Sequence, residues 1–333
     1  MDRAAAQQST VIQARSGPIR LQKRVGGGAM GTVHQGWHET LQHAVAVKFL
    51  TAHTATSHER FIREGKNGGR IHHPNVVHMF ESGEDNGRAF LVLEFVEGKN
   101  LGEVLEHQET RDRESPPTNR PLGSLVDYRL IETIALQVAS GLDAIHAIGV
   151  VHRDIKPDNL MMTAKGQIKI SDLGLAKQVR DPETLVLTGA NMVVGTPLYV
   201  SPEGIRNPQS ITGAADIYGL GATLYHLLAG RPPFPGHTPF DVMRGHLDQP
   251  VIPLASLRPD VPPRLAATIE QCLRKDPRAR PTPLTLQKML RGQVGAGPDA
   301  LRARRTHILW ISLGISLAVV VAAITAWFGL AHK

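Results

Sequence analysis

The sequence has one cysteine, Cys272, in 333 residues. No disulfide can form within the chain, and a reducing compartment is the default expectation. Long low-complexity tracts are also missing: 41% of residues are hydrophobic and 20% charged, a globular balance with length for one large domain or two ordinary ones. The formal net charge of +7 raises nucleic acid as a partner. Lys and Arg are spread along the whole chain, however, without an aromatic stacking motif among them, so a solvated basic surface is read and nucleic-acid binding is not expected. No signal-peptide pattern is read, because Met1 to Gly17 is polar and rich in Ala, Gln and Ser.

Charge is absent altogether from Ile308 to Leu330. As a helix this run is roughly 34 Å long against about 30 Å of hydrocarbon core, and Trp310 and Trp327 sit near its ends, where indoles favour the headgroup boundary. A single span of the cell membrane is expected. Arg302, Arg304 and Arg305 precede it, with only His332 and Lys333 after it, so the larger part of the chain is expected on the cytoplasmic side. Gly314, Ala318 and Ala322 repeat at four-residue spacing, which would let two such helices approach closely as a homodimer.

Ahead of the span, residues 1–18 read as a disordered lead. "PIRLQKRVGGGAMGTVHQGWH" reads as strand, glycine turn, strand. "HAVAVKFL" (43–50) and "AFLVLEFV" (89–96) read as further strands. The stretch 57–73 begins as a helix capped by Ser57, and 107–123, rich in charge, Pro and Asn, reads as a surface insertion. Ile131, Ile134, Ala135, Val138, Leu142 and Ile145 recur at helical spacing with Gly149 as the stop, and 214–230 is a second, largely apolar helix ending at Gly230. A β-rich front and a helical back predict two lobes. Residues 291–307, Gly/Ala-rich and then basic, read as a juxtamembrane linker, and 331–333 as a short external tail.

Chemistry concentrates at a few places. Gly26, Gly28 and Gly31 fit G-x-G-x-x-G, and Thr32 and Val33 continue as strand, not helix, which favours a hairpin covering phosphates over a dinucleotide site. Lys48 ends "VAVK", and Glu64 in the next helix could lock it. "HRDIKPDN" (152–159) packs an acid, a base and an amide together. Asp154 could take a proton from a substrate hydroxyl, Lys156 could neutralise phosphate charge, and Asn159 with Asp172 of "SDLG" offers oxygens to Mg²⁺.

In this order the segments resemble the eukaryotic-type protein kinases over roughly Ile19 to Leu290, the domain taken as 19–290. The resemblance implies an α+β, bilobal protein kinase fold, here joined to the membrane helix at 308–330, and an ATP-dependent phosphotransferase with Mg²⁺ (Mn²⁺ as a possible substitute). It implies that Val25, Gly26, Gly27, Gly28, Ala29, Met30, Gly31, Thr32 and Val33 cover ATP. Ala46 and Lys48 would line the site, Glu64 would hold Lys48, Leu93 would be the gatekeeper, and the backbone of Glu94 to Val96 would meet adenine. Asp154 would be the catalytic base, with Asn159 and Asp172 on magnesium. Glu203 of "GTPLYVSPEG" (195–204) would pair with Arg280, and Asp216 would brace the catalytic loop. Lys156 and Thr196 are like those of members that phosphorylate serine and threonine in proteins. Leu173 departs from the usual Phe of D-F-G, and Ser201 from the usual Ala of A-P-E. Arg153 and Lys177 would receive a phosphate on Thr188, with Thr184 as a rival acceptor. Two other readings stand beside this one: a pseudokinase scaffold that binds nucleotide at the membrane, and a small-molecule phosphotransferase. A dimer could also form through the kinase domain.

Overall fold

Alternating apolar residues build the first part of the chain into strands, in a computed structural model that describes residues 10–28, 31–50, 69–114, 126–173 and 197–294. The strands are β1 (Val11–Ala14), β2 (Gly17–Gly28), β3 (Gly31–His38), β4 (His43–Leu50), β5 (Met79–Asp85) and β6 (Arg88–Glu94). They form one antiparallel sheet in the order β1-β2-β3-β4-β6-β5. Directly paired residues share a face. Val33, Lys48 and Leu91 therefore stand in one row across β3, β4 and β6, with Ala46 and Leu93 in a neighbouring row on the same face. On the other face Ile12, Ile19, Val45, Val47, Phe49, Phe90 and Val92 bury one another.

After Glu94 the chain crosses to β7 (Gly98–Asn100) and then α1 (Leu101–Glu114). The Asn100 side chain accepts from Glu103 N–H at 2.8 Å and starts this helix. α2 (Tyr128–Ala147) buries the apolar stripe seen in its sequence and ends before Gly149, whose φ is +74°. β8 (Leu160–Thr163) pairs with β7 on one side and with β9 (Ile168–Ile170) on the other, forming a second sheet. The remaining helices are α3 (Pro202–Arg206), α4 (Gly213–Ala229), α5 (Pro239–Asp248), α6 (Leu254–Leu257), α7 (Pro263–Cys272) and α8 (Pro283–Leu290). α4 is buried on every side from Ala215 onward, as its nearly continuous apolar sequence requires, and forms the axis of the larger core.

Three expectations are corrected. The lead 1–18 is not uniformly disordered: Val11–Ala14 pairs with β2 and Ile12 is buried, because the underside of the sheet offers an apolar surface to cover. The insertion at 107–123 is helical as far as Glu114, because after Gly102 this stretch has no glycine or proline before Pro116. The strand "AFLVLEFV" ends at Glu94, two residues early. Among the described residues no helix is long and apolar enough to cross a membrane; the run 308–330 lies outside them.

Candidate active site

The loop between α2 and β8 carries the densest chemistry, and Asp216 at the start of α4 organises it. Its carboxylate accepts from the backbone N–H of His152 at 2.9 Å and of Arg153 at 2.6 Å, and from His146 Nε2 at 2.8 Å. Arg153 has φ of +70°, a conformation that a long, bulky residue adopts only when its surroundings impose it. Asp216, itself buried, supplies that constraint. α4 also comes very close to the loop: a Cβ on Gly219 would lie 2.7 Å from the Ile155 carbonyl oxygen, so only glycine fits there.

His152 is wholly buried and joins this loop to the next site segment, its Nε2 lying 2.8 Å from Ser171 O. Asp154 N–H donates to His152 Nδ1 at 3.3 Å, so Nδ1 carries the lone pair and Nε2 the proton given to Ser171. The Asn159 amide nitrogen donates to Asp154 O at 2.7 Å and to Asp154 Oδ2 at 3.0 Å. Its carbonyl oxygen is therefore the end turned away from Asp154. Lys156 Nζ lies 3.0 Å from Asp154 Oδ2. Burial pushes the Asp154 carboxyl up, but the Lys156 ammonium, with further contributions from His152 and Asn159, outweighs it and holds the group below its ordinary value.

Asp172 follows β9 with φ of +57°, and its Oδ1 meets Lys48 Nζ at 2.5 Å. Lys48 is almost fully buried, whereas the Asp172 side chain is 39% exposed. Hence the Lys48 row of the small lobe meets the segment that follows β9. Hard cations take oxygen ligands, and the free side of Asp172 with the Asn159 carbonyl supplies two. Among the described residues no group of three or more His, Cys, Asp or Glu could hold a metal ion; a magnesium bound mainly through phosphates needs no such group.

The glycine hairpin pairs Gly26 with Val33, Gly27 with Thr32 and Gly28 with Gly31. Ala46 lies opposite Leu93. At Glu94 three segments meet: its carboxylate accepts from Lys169 Nζ at 2.9 and 3.0 Å and from His78 N–H at 3.1 Å, while its own N–H donates to His78 O at 2.8 Å. Val96 follows in the connection to β7. Arg280 gives both terminal nitrogens to Glu203, at 2.6 and 2.8 Å, and its other N–H groups to Ala214 O, Arg274 O and Lys275 O.

Ala29, Met30, Glu64, Lys177 and Thr188 lie outside the described residues. Sequence reasoning missed Lys169 and His146. It also missed Tyr199, whose hydroxyl lies 2.7 Å from His226 Nδ1, and the Tyr218–His246 pair at 2.8 Å. None of these has a local pattern. His152 stood in the quoted motif, and a histidine directly after the two β-branched residues Val150 and Val151 was the available signal.

Residues 19–291 match the family described as protein kinase domain. The chain belongs to the protein kinase family. It is similar to the serine/threonine-protein kinase PknH of Mycobacterium bovis, 33% identical over 276 residues, which are 82% of this chain and 43% of that protein. PksC of Streptomyces coelicolor is 35% identical over 274 residues, 79% of this chain and 46% of that kinase. PknB of Mycolicibacterium smegmatis is 32% identical over 313 residues, 90% of this chain and 47% of that one. The chain thus spans less than half the length of these relatives. Among solved structures, the kinase domain of Mycobacterium tuberculosis PknI superposes with a TM-score of 0.61 at 25% identity, covering 83% of this chain and 96% of that one. Rad53 1–466 in complex with AMP-PNP gives 0.62 at 25% identity, covering 81% and 64%.

Proposed function

We propose that this kinase-family chain transfers the γ-phosphoryl group of ATP to serine and threonine hydroxyls of proteins, with magnesium. The observation that carries this is the convergence of Asp154, Lys156, Asn159, Asp172 and Lys48 from three separate segments. In this reading the Asp154 carboxylate orients the acceptor hydroxyl and takes its proton, and Lys156 offsets negative charge on the phosphoryl group in transit. Lys48 binds the α/β-phosphates, the hairpin 25–33 covers them, and the backbone at Glu94–Val96 meets the adenine. Asn159 and Asp172 would hold Mg²⁺, which supplies charge neutralisation between the phosphates when bound. A pseudokinase reading lacks support from the residue set, because each of these roles is filled.

The name of each curated relative is that of a serine/threonine-protein kinase, which supports protein hydroxyls as acceptors over small molecules. Incubating the full-length protein with labelled ATP, Mg²⁺ and an acceptor protein, then analysing phosphoamino acids, tests the assignment. Phosphoserine and phosphothreonine are expected; a labelled small molecule with unlabelled protein would reverse it.

Anchoring belongs to the same proposal. The uncharged run 308–330 and the arginines before it support a single span with the kinase domain on the cytoplasmic side. Alkaline extraction should leave the chain in the membrane pellet, and its recovery in the wash would remove the span. Autophosphorylation at Thr188, read by Arg153 and Lys177, is the corresponding regulatory proposal. Mass spectrometry of active enzyme should find that phosphate, and an unimpaired Thr188→Ala variant would refute it. Pairing of two copies, through the span or the kinase domain, is expected to appear on crosslinking in membranes; monomer alone would count against it.

A further inference from the structure

Residues 10–16 precede the stretch 19–291 that matches the kinase family, yet they are built into the small lobe. β1 and β5 are the two ends of the sheet order, and the sheet curls until they pack together. Ser16, just after β1, closes the join. Its N–H donates to Glu81 Oε1 on β5 at 3.3 Å, and its hydroxyl donates to the same oxygen. His38, at the end of β3, completes the contact with Nε2 2.8 Å from Ser16 Oγ. Leu41 N–H donates to His38 Nδ1 at 3.2 Å, so that nitrogen carries the lone pair and Nε2 the proton. His38 is 1% exposed and Glu81 9%. A carboxylate this enclosed requires donors, and Ser16 provides two of them. The turn leaves no slack: Gly17 has φ of +135°, and a Cβ there would lie 2.1 Å from Thr40 Oγ1.

The join lies at one end of the β2–β3 pair, and Gly26, Gly27 and Gly28 lie at the other. Ile19 pairs with His38 at the first end and Gly28 with Gly31 at the second. We propose that Ser16, His38 and Glu81 form a latch that closes the small-lobe sheet and positions the glycine hairpin over ATP, a role that rests on the ATP-binding reading of that hairpin. The latch is sensitive to charge. A serine hydroxyl can accept from the imidazole and donate to the carboxylate at once, whereas an anion at 16 would face Glu81 directly and drive β1 away. The short edge strand is the element with least to hold it otherwise.

The test uses full-length protein, with hydrogen exchange read at residues 11–14 and 79–85 and steady-state kinetics read for ATP. Ser16→Ala should speed exchange in both segments and raise KM for ATP by about 3- to 10-fold, with kcat changed by less than about twofold. Ser16→Thr, which keeps the hydroxyl, should restore both. Ser16→Asp should exceed the alanine effect, and adding Glu81→Gln to it should recover protection by removing the repulsion. Unchanged exchange in Ser16→Ala and Ser16→Asp overturns the latch. Faster exchange with an unaltered KM overturns the positioning role. If wild-type protein has no affinity for ATP the kinase reading fails, and the exchange arms alone then decide whether the latch exists.

Discussion

The Lys48 ammonium meets the Asp172 carboxylate at 2.5 Å across 124 residues of sequence. The pair links the cleft face of the small lobe to the segment that follows β9. Replacing Lys48 by Met should lower kcat/KM for phosphate transfer by about 100-fold or more, the scale of losing one preorganised charged donor. The melting temperature should move little, because Asp172 is 39% exposed and water can take over its solvation. Unfolding of the variant would instead make Lys48 a core residue.

Asp154 titrates below its ordinary range because Lys156, His152 and Asn159 together overcome the opposing effect of burial. Its carboxylate is therefore ionised from a low pH upward, and with Asp154 as the proposed base the acidic limb of the kcat/KM profile should lie below that of an ordinary aspartate. Lys156→Met removes the largest lowering influence and leaves burial, so the limb should move to higher pH. An acidic limb that stays in place would separate Lys156 from Asp154 electrostatically.

Arg280 uses all five of its N–H groups, two of them on Glu203. Its side chain is fully buried beneath Tyr218, with the guanidinium carbon 4.8 Å from the ring centroid. Lysine cannot reproduce this fork. Arg280→Lys should cost roughly 3 kcal/mol, the lower end for breaking a buried ion pair by changing one partner, as measured by urea unfolding. A loss under about 1 kcal/mol would mean that the pair is solvated in solution.

His226 and His246 are buried in the large lobe. Burial pushes the first down to about 4 and the second, with help from Lys275, to about 3. Their unfolded values near 6.5 are higher, so the unfolded chain takes up protons first as pH falls. Their neutral forms support the fold fully above about pH 6.5, and that support is lost from there toward pH 4 and below, at roughly 1 kcal/mol per pH unit for each histidine. Unfolding midpoints between pH 7 and 5 should fall, and His226→Asn should flatten the decline. An equally steep decline in that variant would place the acid sensitivity elsewhere.

The two lobes could be read in the sequence because their signals are local. The alternation of 43–50, the helical stripe from Ile131 to Ile145 and the stops at Gly149 and Gly230 each follow from backbone periodicity or glycine chemistry. Asp154, Lys156 and Asn159 lie within six residues of one another, so their grouping was visible as well. What escaped notice was non-local. β1 is a four-residue strand too short for a clear alternation, and it forms because the curled sheet has an apolar face for Ile12 and Ala14 to cover. Lys169 reads as an ordinary solvated lysine until β9 is placed behind Glu94. His146 and His226 gain partners only when α2, α4 and the segment carrying Tyr199 pack together.

The central claim is that Asp154 serves phosphate transfer to protein hydroxyls. The most direct measurement compares full-length wild type with Asp154→Asn for ATP affinity and for transfer of labelled phosphate to an acceptor protein. The substitution keeps size and hydrogen bonding while removing the proton acceptor and its charge, so its cost should fall on the transition state. ATP affinity should stay within a few fold of wild type, and transfer should fall by at least about 100-fold. Undiminished transfer by Asp154→Asn, or a wild type that binds ATP and Mg²⁺ yet labels no protein, would contradict the account.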